Sequence, residues 1–255
     1  MKLCFIRRKR MLVCLILLAG ICLLISLSAF HEDFAEVFAS KREIPIYSVE
    51  TEEKLAAITF DCAWGADDIP QILDTLKEAD VRATFFLVGQ WAEKNQEMVK
   101  AMAMEGHDVA NHSYSHFRMG SLSSEMQSSE IKKCGDVIER ITGGKCDLFR
   151  APYGDYNNSL IQEARKLGYY TIQWDVDSLD WKPGIGREEI KQRIRSRVRN
   201  GSIILFHNDT PHTAKILPEI IEELQSGGYK LVPVSRLILR DDYIIDHEGR
   251  QKKVS

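Results

Sequence analysis

Short apolar runs alternate with amphipathic segments over most of the chain after its first 50 residues. Seven of these runs are four to six residues long and are bounded by turn residues, which predicts β-strands. They are 55–60, 83–88, 108–111, 147–150, 169–173, 202–206 and 230–234. Between them, apolar residues recur at helical spacing, as at Ile69, Ile72, Leu73 and Leu76. This alternation predicts a parallel α/β sheet or barrel with one core, in a domain of about 190 residues.

The first 50 residues have a different pattern. Residues 1–10 form a basic flank, and residues 11–30 form an uncharged apolar run. A run of about 20 apolar residues is long enough to cross a bilayer as a helix, and the basic flank predicts that residues 1–10 stay cytoplasmic. We therefore expect a single-pass signal anchor in the cell membrane, with the rest of the chain extracytoplasmic. A cleaved secretory signal is the alternative, since Ser26, Ser28 and Ala29 permit cleavage. The polar residues 31–51, which include Pro45, are predicted to be a tether.

Charge and cysteine content limit the possible partners and cross-links. Without the five basic residues of the flank, the chain has 29 of its 34 Lys and Arg against 37 Asp and Glu, a net charge of −8. Nucleic-acid binding needs a clustered basic surface, so no nucleic-acid partner is expected, and no protein partner is predicted. Export permits a disulfide between Cys134 and Cys146, although Cys134 could equally be a small apolar residue on a helix face.

Polar clusters follow the predicted strands at five places. They are Thr-Phe-Asp at 59–61, His-Ser-Tyr-Ser-His at 112–116, Arg-Ala-Pro-Tyr-Gly at 150–154, Asp-Ser-Leu-Asp-Trp at 177–181 and Leu-Phe-His at 205–207. Functional sites of parallel β/α folds gather at the C-terminal ends of the strands. His112 and His116 are four residues apart, so on a helical turn both imidazoles would face one side and hold one metal ion. Together with the other clusters, this pair predicts a hydrolase that activates water on a metal.

In their order and residue types, the five clusters resemble the polysaccharide deacetylase family, also called the NodB-homology domain or carbohydrate esterase family 4. The Trp64-Gly65 pair after the first cluster is most similar to its sporulation-type peptidoglycan deacetylase branch. The resemblance covers residues 52–240, and its specificity comes from five ordered motifs. It implies an irregular (β/α)7-type barrel with the site at the C-terminal ends of the strands, preceded by the transmembrane helix. Residues 241–255 would then form a polar C-terminal tail.

The resemblance also implies a role for each matched residue. Asp61 would be the general base that takes a proton from water, and Arg150 would orient it. The backbone N–H of Tyr153 would hold the oxyanion, and His207, kept charged by Asp180, would protonate the leaving amine. Without the resemblance, Asp61 could instead cap a helix, and His207 could be a core histidine. The remaining matched positions are the metal ligands His112 and His116 and the substrate-binding residues Trp181, Leu205 and Pro152.

One position departs from the pattern of the family. Its first motif normally ends in Asp-Asp, and the second Asp is replaced here by Cys62. A thiolate can bind zinc at about 2.3 Å, so Cys62 is a candidate third ligand. A buried cysteine beside a strand can also serve only as packing. We expect a site held by His112 and His116 with water or a substrate oxygen, containing one divalent ion, either zinc or another first-row metal.

The function implied by the resemblance is metal-dependent removal of N-acetyl groups from the amino sugars of a cell-wall polysaccharide. The enzyme would hydrolyse a carbon–nitrogen bond that is not a peptide bond, in peptidoglycan first and chitin-like oligosaccharides second. Two alternatives remain open. A glycan-binding relative that is weakly active or inactive would explain Cys62. A metal-free glycoside hydrolase would use Asp61 and Asp180 as its carboxylate pair, and would leave His112 and His116 without a role.

Overall fold

The computed structural model describes residues 20–21, 42–145 and 147–254. The chain divides into two units, Met1–Arg42 and Glu43–Ser255, and the second contains the sheet. Nearly all of the predicted anchor and most of the predicted tether lie outside the described residues, as does Cys146 of the predicted disulfide. Within the described residues, no helix has the length and apolar character needed to cross a membrane.

The second unit alternates strands and helices along most of its length. The strands are β1 (Ser48–Val49), β2 (Leu55–Cys62), β3 (Thr84–Leu87), β4 (Asp108–Asn111), β5 (Leu148–Phe149), β6 (Tyr170–Thr171), β7 (Val176–Asp177), β8 (Ser202–His207), β9 (Lys230–Leu231), β10 (Tyr243–Ile245) and β11 (Arg250–Lys253). The helices are α1 (Ile69–Glu78), α2 (Gly89–Lys94), α3 (Gln96–Met104), α4 (Ser124–Thr142), α5 (Asn158–Lys166), α6 (Arg187–Arg197), α7 (Thr213–Ser226) and α8 (Val234–Leu237), with short 3₁₀ turns at Met119–Ser121 and Pro152–Gly154. Each of the seven predicted strands overlaps an observed strand.

The sheet has the parallel order expected of an α/β fold. Strands β2 to β6 pair in sequence order, while β8 pairs with β2 on its other side and with β7. Residues 46–48, at the start of β1, lie between the end of β6 and the start of β8. Ile46 pairs with Ile172 just after β6, and Ser48 pairs with Ser202 at the start of β8. The result is an α/β half-barrel, which confirms the α/β class of the prediction; the predicted transmembrane helix lies almost wholly outside the described residues.

Alternation of side chains along β2 separates two cores. Ala56, Ile58, Phe60 and Cys62 pack in the cluster that includes the helices on the outside of the sheet, whereas Ala57 packs in a second cluster within the half-barrel. Successive residues of a strand point to opposite faces, so Asp61 belongs to the same face as Ala57. The last two residues of β2 therefore direct their side chains to different sides of the sheet.

Helix α4 shows how local sequence sets an element that supports the site. It starts after Ser123, whose hydroxyl oxygen accepts the Met126 N–H at 3.4 Å, and it ends at Gly143, which adopts a left-handed conformation with φ 70°. Its inner face includes the buried Cys134, whose thiol lies 3.3 Å from the Leu87 carbonyl oxygen. This placement agrees with the interpretation of Cys134 as a residue of a helix face.

The folded unit extends beyond the predicted domain range 52–240 on both sides. Ile46 and Val49, in the predicted tether, are buried. Residues 241–255, predicted as a polar tail, contain β10 and β11, and β11 pairs with β1. The one fully buried side chain of β11 is that of Gln251, whose amide binds both the N–H and the carbonyl of Leu239. The sequence concealed this strand because a polar residue occupies the position where an apolar one would have produced alternation.

Candidate active site

Asp61, at the end of β2, is bound by a buried arginine. Arg150 Nη1 donates to Asp61 Oδ1 at 2.6 Å and to Thr59 Oγ1 at 2.9 Å, while its Nη2 donates to the Gln173 carbonyl at 3.0 Å. The guanidinium also lies over the ring of Phe86, with its carbon 3.9 Å from the ring centroid. A guanidinium fixed on several sides holds its carboxylate partner in one orientation. Arg150 therefore has the geometry expected of a residue that orients a base.

The electrostatic environment keeps Asp61 ionised. Burial by itself would raise the pKa of this carboxyl, but its neighbours, foremost the charge and hydrogen bond of Arg150, outweigh burial and hold the pKa below its usual value. An ionised carboxylate with one oxygen on Arg150 retains lone pairs on the other oxygen. Asp61 can therefore accept a proton at neutral pH.

His112 follows β4 and is oriented by a backbone carbonyl. Its Nδ1 lies 2.9 Å from the carbonyl oxygen of Arg150, so Nδ1 carries the proton and donates it. Nε2 is then a bare acceptor, and it lies 3.5 Å from Asp61 Oδ2. Burial lowers the pKa of His112, which favours the neutral ring. A neutral imidazole with a fixed tautomer and an available Nε2 is suited to bind a metal.

His116 lies beside His112, as predicted, with the two ring centroids 5.1 Å apart. The predicted helical turn is not present, because Ser113 and His116 both have left-handed backbones, with φ 63° and 58°. Nδ1 of His116 lies 3.1 Å from the Tyr153 hydroxyl, and burial lowers the pKa of His116 to about 3. Both imidazoles are therefore neutral and close to each other, although a non-helical turn brings them together.

Glu130, on α4, holds this turn in place, and no sequence pattern indicated its role. Its Oε2 accepts the N–H groups of Tyr114 at 3.1 Å and Ser115 at 2.7 Å, and its Oε1 accepts the Ser115 hydroxyl at 3.0 Å. Buried Asn111 contributes a further contact, since its Oδ1 accepts the Ser113 N–H at 3.0 Å. Glu130 stands among other polar residues of α4, so only the tertiary contact distinguishes it.

His207, at the end of β8, is paired with Asp180. Its Nδ1 lies 2.8 Å from Asp180 Oδ1, while Asp180 Oδ2 accepts the His207 N–H at 2.7 Å and the Thr213 hydroxyl at 2.6 Å. Burial by itself would lower the pKa of His207, but the hydrogen bond and charge of Asp180 raise it above its usual value. The imidazole can therefore carry a proton near neutral pH and release it to a leaving group. Thr213 was not among the predicted residues.

Tyr153 occupies a strained turn at the edge of the site. Its backbone is left-handed, with φ 60° and ψ 10°, a conformation that costs a non-glycine residue about 1–2 kcal/mol. Within the described residues, the Tyr153 N–H forms no hydrogen bond. An unpaired N–H beside the other polar groups can serve an oxyanion, the role that the family resemblance implies for Tyr153.

Backbone strain is concentrated around this site. Seven non-glycine residues of the described ranges have positive φ, and five of them lie in loops that follow the C-terminal ends of the strands: Ser113, His116, Tyr153, Leu179 and Asp209. Such conformations persist where the surrounding contacts impose them, and they recur at functional sites.

The remaining predicted residues are placed differently. Pro152 and Leu205 are buried, whereas Trp181 is exposed. Cys62 is buried in the outer core, and burial, followed by the charges of Asp61 and Asp68, raises the pKa of its thiol well above the usual value. Within the described residues, no group of three His, Cys, Asp or Glu side chains is arranged to hold a metal ion. The structure thus brings the histidine pair to Asp61 without bringing the Cys62 thiol to the same face.

Comparisons with known proteins point in one direction. A family model described as polysaccharide deacetylase matches residues 48–172. The chain is 33% identical over 195 residues to YlxY of Bacillus subtilis, an uncharacterized protein, and this match spans 76% of the chain but only 60% of YlxY. It is 33% identical over 198 residues to a peptidoglycan-N-acetylglucosamine deacetylase of Bacillus cereus, spanning 75% of the chain and 92% of that protein. The solved structure of a CE4 family pseudoenzyme from Bacillus anthracis matches with a TM-score of 0.73 at 32% identity, covering 82% of this chain and 72% of that one.

Replacing Glu130 by Ala should loosen the turn that carries His112 and His116. Two backbone N–H groups would lose a charged acceptor, so amide hydrogen exchange at Tyr114 and Ser115 should accelerate by about tenfold or more. Exchange measured by mass spectrometry or NMR would show this. Glu139→Ala, an exposed change on the same helix, should leave these amides as protected as in the wild type. Equal protection in both variants would show that Glu130 does not hold the turn.

Proposed function

Because the chain belongs to the polysaccharide deacetylase family, we propose that it removes N-acetyl groups from the amino sugars of a cell-wall polysaccharide, peptidoglycan before chitin-like oligosaccharides. The observation that carries this proposal is the neutral histidine pair beside an ionised Asp61, with Asp180-paired His207 on the adjacent strand. The names of relatives that are peptidoglycan deacetylases support the choice of polymer. Since YlxY is longer than the matched region, activity and substrate are proposed for the described domain only.

The proposed cofactor is one divalent ion, zinc or another first-row metal, held by His112 and His116. These two residues suit a metal ion because both rings are neutral and lie close together. In His112, Nδ1–H is bonded to the Arg150 carbonyl, so Nε2 is free to bind the ion. Catalytic zinc sites keep at least one position open, and here water or a substrate oxygen would take the positions that no side chain fills. Such an ion polarises an amide carbonyl and lowers the pKa of a bound water.

The side chains of the site divide the proton transfers between them. Asp61 takes a proton from the attacking water, while Arg150 keeps that carboxylate in position. The Tyr153 N–H donates to the acetyl oxygen as negative charge develops there. His207 gives its proton to the departing amine nitrogen, and Asp180 favours the protonated ring beforehand. The products are acetate and a free amino sugar.

The location follows from the substrate. A cell-wall polymer lies outside the cytoplasm, so we propose a membrane anchor at residues 11–30 and an extracytoplasmic domain, with secretion after signal cleavage as the alternative. The resemblance of Trp64-Gly65 to the sporulation-type branch extends the proposal to spore peptidoglycan. Fractionation of cells into membrane and medium would distinguish anchoring from secretion.

A metal-free glycoside hydrolase is not favoured by the contacts of Asp180. This carboxylate is buried, and its two oxygens are occupied by the His207 ring, the His207 N–H and the Thr213 hydroxyl. A glycosidase needs both carboxylates at the scissile bond. Asp180 instead acts on His207.

One observation favours a second candidate, a glycan-binding protein without catalysis. Cys62 stands where the family has an acidic ligand, and its thiol is buried in the outer core. A similar solved structure is described as a CE4 family pseudoenzyme, and a mutant of it is described as having restored enzymatic activity. In this candidate the chain would bind glycan strands and release no acetate even with saturating zinc.

Removal of metal tests the proposed hydrolase directly. Treatment with a chelator should abolish acetate release from peptidoglycan and from chitooligosaccharide, and added zinc or cobalt should restore it. His112→Ala should lower zinc affinity and activity together, since it removes one of two side-chain ligands. His247→Ala, an exposed histidine between β10 and β11, is the control. Full activity in a metal-free sample would exclude this mechanism.

The pH profile tests the assignment of His207 as the acid. A general acid works only while protonated, so activity should fall as the pH rises through the pKa of His207. Asp180 raises that pKa, so Asp180→Asn should move the alkaline limb of kcat to lower pH by about one unit or more. Thr213→Val, which keeps the carboxylate and removes only a hydroxyl, should move it much less. An alkaline limb that stays in place in Asp180→Asn would contradict the assignment.

Cys62→Ala distinguishes packing from ligation. If the thiol only fills the outer core, zinc affinity should stay within about twofold of the wild type, and the free energy of unfolding should fall by roughly 1 kcal/mol. Zinc affinity measured by competition with a chelator, together with urea unfolding, would show both. A large loss of zinc would make Cys62 the third ligand instead.

A further inference from the structure

The loop that follows β5 contacts both histidines of the site. The Arg150 carbonyl oxygen lies 2.9 Å from Nδ1 of His112, and the Tyr153 hydroxyl oxygen lies 3.1 Å from Nδ1 of His116. Both contacts are made at Nδ1, so the two imidazoles are held at the same ring position. His112 is held by a backbone atom, which no substitution removes, whereas His116 is held by a side chain. The role of the Tyr153 side chain can therefore be tested by mutation.

The contact with Tyr153 bears on which nitrogen of His116 is available to a ligand. In a neutral imidazole one nitrogen carries the proton and the other has a free lone pair. Within the part of the chain that the structure describes, the Tyr153 hydroxyl is the one hydrogen-bond partner of the His116 ring. If the hydroxyl oxygen accepts Nδ1–H, the free lone pair is on Nε2, as in His112. The hydroxyl can accept this bond and still donate its own proton to solvent, because Tyr153 is exposed.

Neighbouring side chains hold the Tyr153 ring against His116. The centroids of these two rings are 4.6 Å apart. The guanidinium carbon of Arg118 lies 4.7 Å from the centroid of the Tyr153 ring, which is a cation–π contact. Trp64 contacts His116 edge-on, with ring centroids 5.0 Å apart. Because rotation of either ring would break one of these contacts, the hydroxyl is kept within hydrogen-bonding distance of Nδ1.

The backbone on both sides of Tyr153 is fixed as well. The Gly154 N–H donates to the Ala151 carbonyl at 3.1 Å, and the Asp155 N–H donates to the Pro152 carbonyl at 3.0 Å. These two turn hydrogen bonds hold Tyr153 in its left-handed conformation. A side chain on a fixed backbone can orient its partner before any ligand binds.

We propose that the Tyr153 hydroxyl is a positioning group for His116: it accepts Nδ1–H and so makes the lone pair of Nε2 available to the metal. This inference rests on the proposed cofactor and extends it, because the family resemblance implies a role for Tyr153 through its backbone N–H alone. One residue then has two separate tasks, its N–H for the oxyanion and its hydroxyl for a ligand. With two side-chain ligands proposed, the orientation of each matters for metal affinity.

The tautomer of His116 can be measured without metal, by ¹⁵N NMR of the histidine rings in the detergent-solubilised, zinc-free full chain at neutral pH. The wild type should show Nδ1–H in both His112 and His116. Tyr153→Phe keeps the ring contacts and removes only the hydroxyl, so His116 should shift toward Nε2–H, the tautomer that a free imidazole side chain prefers. His112 should not change, since its partner is a backbone carbonyl. Tyr156→Phe is the matched control, because the Tyr156 hydroxyl lies in the same loop and contacts the Tyr47 hydroxyl at 3.1 Å.

Zinc affinity is the second measurement. Loss of a hydrogen bond that orients a ligating histidine typically lowers metal affinity by about 10- to 100-fold. Competition with a chelator should therefore show zinc binding that is about tenfold weaker or more in Tyr153→Phe. Tyr156→Phe should bind zinc as the wild type does.

The outcomes separate this inference from the proposed function. A wild-type His116 with its proton on Nε2 would overturn the inference, because the hydroxyl would then be the donor. Equal tautomers in Tyr153→Phe and the wild type would also overturn it, as would a shifted tautomer with unchanged zinc affinity. If the tautomer depends on the Tyr153 hydroxyl but the wild type binds no zinc, the proposed cofactor fails and the positioning of His116 by Tyr153 stands.

Discussion

The buried ion pair between Arg150 and Asp61 is the contact on which the site depends. Removing one partner of such a pair leaves an uncompensated charge in the interior, which costs about 3–5 kcal/mol. Arg150 has a second effect through its backbone, because its carbonyl fixes the tautomer of His112. Arg150, which follows β5, therefore keeps Asp61 on β2 ionised and leaves Nε2 of His112, after β4, free to bind a metal. The site forms only when these three strands are paired.

The interior environment shifts the pKa values of Asp61 and His207 in opposite directions. Neighbouring positive charges keep the pKa of Asp61 low, while Asp180 raises the pKa of His207. Asp61 and His207 are register partners on the paired strands β2 and β8, so a group ready to accept a proton lies beside one ready to give it. Separation of pKa values by local environment is how an enzyme assigns acid and base roles near neutral pH. Strand pairing brings Asp61 and His207 together, and the neighbours of each residue determine which one acts as the base and which as the acid.

The sequence predicted what depends on local pattern and missed what depends on tertiary contact. Apolar runs such as β2 and β8 were visible because several consecutive residues are buried, and Asp61 and His207 were visible because they follow such runs. The strands β1 and β7 were missed because each contains a single apolar residue, Val49 or Val176, flanked by polar residues, so no apolar run marks them. Glu130 gave no signal, because its importance comes from hydrogen bonds to a turn 15 residues earlier in the chain. The spacing of His112 and His116 predicted that their rings converge but not the non-helical turn that achieves it.

Strand geometry explains why Cys62 suits its position. Arg150 holds the Asp61 side chain on the inner face of the sheet. Because the backbone is extended, the side chain of the next residue, Cys62, points to the outer core. A small apolar group packs well there, whereas a carboxylate would be buried close to the carboxylates of Asp61 and Asp68. With only two side-chain ligands proposed, a metal ion can contribute less to the order of the site than three ligands would allow. The protein must then supply that order itself. The contacts that do so are the Arg150 carbonyl on His112, the Tyr153 hydroxyl on His116 and Glu130 on the turn between them.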